Sequence, residues 1–352
     1  MDIKDLISKI EPSDPYAQEA ALAHWDSLAK PLGSLGVLES DITKICSLKR
    51  TDSPRLDKRT LFVVCADNGV IARGVSQSDE SVTEAVASAL GEGTSTINYM
   101  AKAACCAVIP VDAGMKAEAT PKGVLPMKIR CGTSDMTAGP AMTRAECEQA
   151  IQKGAELVCG EQSKGTDIIL LGEMGIGNTT TSSAVASVLL GKSPGELAGR
   201  GAGLSDEGLQ RKIFAIETAL GINRPDRNDP IDILSKVGGF DLAMLTGICL
   251  GAAVYRIPVI LDGVITNTAA LCAVRLCPDS CSALIASHVS SEPAAELLLS
   301  ALGLAPCIQA GLHLGEGSGA MLALPLLDQA LAVYSSGHTF SHLGIDAYVH
   351  QN

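Results

Sequence analysis

Ile168-Ile169-Leu170-Leu171-Gly172-Glu173-Met174-Gly175-Ile176-Gly177-Asn178-Thr179-Thr180-Thr181 is the stretch that decides the fold. An unbroken apolar run enters a glycine-rich loop, and the loop enters a segment in which Asn178 or Thr179 is placed to cap a helix. Apolar runs without alternation suit strands buried on both faces, as in a parallel sheet covered by helices on each side. The glycines allow backbone N–H groups to approach a ligand, and the helix start behind them favours an anion. No Gly-Lys-Ser/Thr closes the loop, so it is not a Walker loop, and it lacks the G-x-G-x-x-G pattern. A tight strand-to-helix turn would account for the glycines and caps, but not for the carboxylate of Glu173 at the rim.

The same arrangement recurs along the chain. Leu61 to Cys65 runs into Ala66-Asp67-Asn68-Gly69, and Cys106 to Val111 into Asp112-Ala113-Gly114. Val259 to Leu261 runs into Asp262-Gly263, and Ala283 to Ala286 into Ser287-His288-Val289-Ser290. Ile308 to Leu312 precedes Leu314-Gly315-Glu316-Gly317-Ser318-Gly319. These repeats predict an α/β fold, with a mainly parallel sheet of about six strands and helices on both faces. Loops leaving the carboxyl ends of such strands converge on one edge, where ligands bind. Residues before 59 carry helical patterns, and Leu326 to Tyr334 reads as an amphipathic helix after Pro325. Residues 1–58 and 326–352 are expected to form a small helical domain beside a large α/β domain, 59–325. Residues 116–143 form the longest irregular stretch, either a lid or a surface loop.

Composition narrows the function. The chain has 352 residues, 47% hydrophobic but only 3% aromatic, with Trp25 the sole tryptophan, so the core must be built from small aliphatic side chains. A net charge of −12, without clustered Lys and Arg, argues against a nucleic-acid surface. The acidic N-terminus does not read as a secretory signal, and Ala243 to Tyr255 is shorter than the roughly 20 apolar residues of a membrane span. A cytoplasmic protein with a buried helix there, and no membrane partner, is expected. The twelve cysteines contain no C-x-x-C pair and mostly sit in apolar runs, which favours reduced, packed thiols. His338 and His342 are spaced i, i+4 without a third ligand nearby, and no metal site is expected.

Two more segments bear on chemistry. Gly199-Arg200-Gly201-Ala202-Gly203 precedes a helix start at Ser205-Asp206-Glu207 and then Lys212, a nest with two cations that suits a phosphate. Glu316 is a lone carboxylate among glycines beside Leu312 and Leu314; desolvation there would raise its pKa and suit a general base, against the plainer reading of a solvated loop residue. Transferases that use a pyrophosphate-activated sugar usually carry adjacent acidic residues for Mg²⁺ after a strand. Ile260-Leu261-Asp262-Gly263-Val264-Ile265-Thr266 has only one.

Taken in order, these loops resemble the nicotinate-nucleotide:dimethylbenzimidazole phosphoribosyltransferases of cobalamin lower-ligand assembly. The resemblance begins at Lys30-Pro31-Leu32-Gly33-Ser34-Leu35-Gly36 and Ala66-Asp67-Asn68-Gly69-Val70. It continues through the Glu173 loop, Gly199 to Gly203, Leu261-Asp262-Gly263, Ser287-His288-Val289-Ser290-Ser291-Glu292 and Gly315 to Ala320. It implies a homodimer, a Rossmann-like sheet with a small helical domain, no cofactor, and transfer of the phosphoribosyl group of nicotinate mononucleotide to 5,6-dimethylbenzimidazole or a similar aromatic base. Glu316 then matches the general base and Glu173 a second active-site carboxylate. Gly175, Ile176, Gly177, Asn178, Thr179, Gly201, Gly203, Lys212, Gly263, Ser290 and Gly315 fall where the family holds the nucleotide. Ser78, Val86, Met174 and Leu314 fall at the base. Val86 stands where some members have a polar residue, Ala202 where a threonine is common, and Pro293-Ala294 where a glycine is usual. A purine or phenolic base, or a non-catalytic nucleotide-binding subunit on the same fold, are the alternatives.

Overall fold

A computed structural model describes residues 2–350 of the chain. Six parallel strands form one sheet: β1 (Arg59–Ala66), β2 (Ala107–Gly114), β3 (Leu125–Pro126), β4 (Ile168–Met174), β5 (Val259–Leu261) and β6 (Leu284–Ala286), in the order β3-β2-β1-β4-β5-β6. The strand order reverses beside β1, so the crevice between the carboxyl ends of β1 and β4 is the topological switch point at which doubly wound sheets take ligands. The register there is Val63 opposite Gly172 and Val64 opposite Glu173.

The apolar runs divide between two cores as the pleat demands. Phe62, Val64, Ile169 and Leu171 face the helices Arg144–Lys164, Phe240–Tyr255 and Val264–Leu276. Leu61, Val63, Ile168 and Leu170 face the other layer, with Trp25, Ile42, Leu324, Leu327 and Tyr334. Trp25 and Tyr334 meet edge to face at 4.9 Å between ring centroids, which joins the helix Pro15–Ser27 to the helix Ser318–Tyr334. The helix over Ala243 to Tyr255 is buried as expected.

Several expectations need correction. Ile308 to Leu312 is not a strand; it keeps only one bridge, between Ile308 and His288. Gln309, Ala310 and Gly311 are exposed and Gly311 has φ +64°, so this run is not the doubly buried segment a central strand requires. The remaining strand is β3, inside the 116–143 stretch. The C-terminal helix begins at Ser318, well before Leu326, and carries Pro325 within it. Among the cysteines, Cys105, Cys131 and Cys159 are exposed rather than packed. Among the described residues no helix is long and apolar enough to cross a membrane.

Candidate active site

Four polar loops leave the carboxyl ends of β4, β5 and β6 and the segment before Ser318, and they meet around one cavity of about 310 Å³. Glu173, Met174, Gly175, Ile176, Asn178 and Thr179 line it from β4 and the helix Asn178–Leu190. Gly263 and Ser290 line it from the next two loops, Gly201 from the glycine cluster, and Leu314, Gly315 and Glu316 from the last. Ser78 and Val86 complete the wall from the helix Ser81–Glu92 and the turn before it. A smaller cavity of about 70 Å³ adjoins it, lined by Gly175, Ile176, Gly177, Asn178, Thr179, Arg200 and Gly201 among others.

Gly203 and Lys212 line neither cavity. The Gly203 carbonyl accepts from Gln77 Nε2. Lys212 is fully buried, and its Nζ donates to Thr179 Oγ1 and to the Gly199 carbonyl, both at 2.9 Å. Lysine here ties the glycine cluster to the first turn of the helix Asn178–Leu190. Its burial, partly offset by the charge of Glu292, pushes its pKa down to about 8. Neither Asn178 nor Thr179 caps that helix. Gly177, with φ +92°, is the N-cap, Asn178 is the first helical residue, and its Nδ2 donates to Glu173 Oε2.

The two carboxylates differ in how they are held. Glu173 is buried, and desolvation, followed by the charges of Asp241 and Asp262, pushes its pKa up to about 8 despite the Asn178 hydrogen bond. Glu316 is half-buried and its pKa is raised first by desolvation and then by the Asp262 charge, against an opposing backbone hydrogen bond at Ile97. Its Oε2 is buried without a hydrogen-bond partner. Glu316 also has φ +58°, a left-handed backbone that costs an L-residue roughly 1–2 kcal/mol and persists only where the surroundings hold it.

Gly315 packs against Glu173. It has φ +82°, and a Cβ there would lie 2.9 Å from Glu173 Oε1. Gly315→Ala is therefore expected to cost about 1–2 kcal/mol through the left-handed backbone alone, and to displace Glu173. Urea denaturation checks this, and an unchanged midpoint and slope would contradict the packing.

Sequence reading missed several lining residues. Val82, Val264 and Ile265 add apolar wall, and Thr266 and His313 add polar atoms. Glu292 lies in the cavity wall and accepts from the Gly201 N–H at 3.0 Å, so a carboxylate already occupies one donor of the glycine nest. His288 is buried and its pKa is lowered by desolvation; its Nδ1 is 2.9 Å from Ser287 Oγ and 4.0 Å from Asp262 Oδ1. Among the described residues no group of three or more His, Cys, Asp and Glu side chains is arranged to hold a metal.

The chain is similar to known proteins over nearly its whole length. A family model described as "Phosphoribosyltransferase" matches residues 10–345. The nicotinate-nucleotide–dimethylbenzimidazole phosphoribosyltransferase of Ruminiclostridium cellulolyticum is 42% identical over 348 residues, 99% of each chain. The protein of that name from Acetivibrio thermocellus is 45% identical over 323 residues, 92% of each. The crystal structure of CobT from Thermus thermophilus superposes with a TM-score of 0.90 at 37% identity, covering 94% of this chain and 99% of that one. The chain belongs to the phosphoribosyltransferase family that contains the nicotinate-nucleotide–dimethylbenzimidazole enzymes.

Proposed function

We propose that the chain transfers the phosphoribosyl group of nicotinate mononucleotide to 5,6-dimethylbenzimidazole or a closely similar base in cobalamin nucleotide-loop synthesis, with Glu316 as general base. The observation that carries this reading is Glu316 itself, which lines the same cavity as Glu173 and the glycine loops and keeps one carboxylate oxygen, Oε2, buried without a partner. A buried acceptor without a donor is costly, and an incoming N–H relieves it. The phosphate is assigned to the smaller cavity, where Gly175 to Thr179 meet Arg200 and Gly201 at a helix start. The base is assigned to the wall of Val82, Val86, Met174, Ile265 and Leu314, with Ser78 as its polar contact.

The chemistry follows from the donor. A pyridinium is a good leaving group, so the protein supplies alignment and charge placement. One ring nitrogen of the benzimidazole attacks C1′ from the face opposite the nicotinate. The C1′–N bond to the pyridinium breaks, and its electron pair stays on the departing nicotinate nitrogen. Glu316 takes the proton from the other benzimidazole nitrogen. Inversion at C1′ gives the α-riboside 5′-phosphate. The cationic ring draws the Glu173 carboxyl back towards its ionised form, and the resulting negative charge favours the positive charge developing on the ribose.

The same reading includes a homodimer in the cytoplasm. It also includes a helical unit of residues 1–58 and 326–352, joined within itself by the Trp25–Tyr334 contact and sharing a core with Leu61, Val63 and Leu170 of the catalytic unit, 59–325.

Nicotinate release from nicotinate mononucleotide, followed with and without dimethylbenzimidazole, tests the activity. Release that requires the base is expected; release at the same rate without it would indicate a hydrolase instead. Lys212 yields a pH prediction. Its charge is present below its pKa of about 8 and lost above it, so the KM for nicotinate mononucleotide should climb as pH rises through that value. A KM that stays flat well past it would remove Lys212 from support of the phosphate loops.

A further inference from the structure

Asp262 lies one residue beyond β5, is 3% exposed, and sends its carboxylate into the start of the helix Ser318–Tyr334. Oδ2 accepts from the Gly317 N–H at 3.2 Å, and Oδ1 accepts from the Gly319 and Ala320 N–H groups at 2.7 and 3.3 Å. The N-cap of that helix is Gly317, which has no side chain to offer its first turn. First-turn N–H groups have no intrahelical partner and carry the positive end of the helix dipole. Asp262 satisfies them from the loop that follows β5.

We propose that Asp262 is a positioning residue for Glu316, its carboxylate clamping the backbone on the C-terminal side of Glu316 so that the Glu316 side chain keeps its place in the cavity wall. This rests on the reading of Glu316 as general base. The clamp acts where it is needed, because Glu316 has an unfavourable left-handed backbone and Gly317, the next residue, donates directly to Asp262. His288 closes the other side. A Cβ at Gly319 would overlap its ring, so the imidazole, the carboxylate and the first helical turn are packed without slack. The ionisable groups facing this clamp are His288 after β6, Glu173 on β4 and Glu316 itself. The negative charge of Asp262 therefore also favours protonated Glu316, as a group preparing to accept a proton requires.

A double-mutant cycle on the full-length protein tests this, using Asp262→Asn, Glu316→Gln and the pair. Asparagine keeps the shape but presents an N–H to one of the backbone donors. D262N alone should lose about 100-fold in kcat, as a misplacement of about 1 Å produces, while the KM for nicotinate mononucleotide stays within about threefold. In the E316Q background the same change should cost less than about threefold, since there is no base left to misplace. The acidic limb of kcat/KM should also move to lower pH in D262N. Equal losses in both backgrounds, with E316Q itself strongly impaired, overturn the positioning role alone. An E316Q enzyme as fast as the parent overturns the base reading beneath it. Should D262N fail to fold, amide exchange in the unmodified protein decides: protection of the Gly317, Gly319 and Ala320 amides well above that of the exposed loop amides at Gly311 and His313 supports the clamp, and equal exchange overturns it.

Discussion

Glu316→Gln is expected to lower turnover by roughly 10²- to 10⁴-fold, the range a positioned general base contributes. The amide matches the carboxylate in shape, so nicotinate mononucleotide should still bind within about threefold of its parent Kd. The prediction is specific because Glu316 Oε2 has no protein partner to lose. Structural damage would lower melting temperature and nucleotide affinity together, whereas loss of a base lowers kcat alone. Steady-state kinetics with an equilibrium titration separate them. Turnover within about threefold of the parent, with affinity intact, would remove Glu316 from the proton transfer.

Glu173→Gln should have the next largest effect, a loss of about 100-fold or more if the carboxylate stabilises charge on the ribose. Stability distinguishes this from simple misfolding. Burial and neighbouring negative charge lift the folded-state pKa of Glu173 from its ordinary 4.5 to about 8. Between those values the folded protein holds a proton that the unfolded chain releases. The parent therefore loses stability as pH rises through that window, and the glutamine variant does not. The variant should be no less stable near the lower end and gain on the parent by an amount on the order of a few kcal/mol near the upper end. Urea denaturation at several pH values measures it. Parallel pH slopes for parent and variant would mean that Glu173 ionises normally and that the surrounding acids do not act on it.

Much of the fold is legible because burial on both faces leaves a plain mark. Leu61 to Cys65 and Ile168 to Leu171 have no room for polar residues, and both are central strands. The edge fares worse for the same reason. Leu125–Pro126 is a two-residue strand with both positions exposed, so no apolar run announces it. Ile308 to Leu312 is half open to solvent, and Gln309 and Gly311 inside it are the signal that it is not a doubly buried strand.

At the site, glycine loops point to Glu173 and Glu316 because those carboxylates stand out among residues without side chains. Asp262 reads in the sequence only as too solitary for Mg²⁺. Its partners are backbone amides far along the chain, and N–H groups have no letter in a sequence. Asn178 reads as a cap because asparagine's side-chain oxygen accepts from first-turn N–H groups, yet it lies one residue inside the helix and its Nδ2 donates to the buried Glu173 carboxylate. Resemblance puts Lys212 on the nucleotide, but it stands behind the loops and braces them. Asp241, which shares the burden of negative charge on Glu173, lies in an apolar helix that carries no chemical signal.

The most direct measurement is the anomeric configuration of the product formed from nicotinate mononucleotide and dimethylbenzimidazole, assigned by NMR alongside the nicotinate released. In-line attack opposite the leaving group, with the proton going to Glu316, predicts one nicotinate for each riboside and an α-linkage throughout. A β-linked riboside, or nicotinate released with ribose phosphate and no riboside, would contradict it.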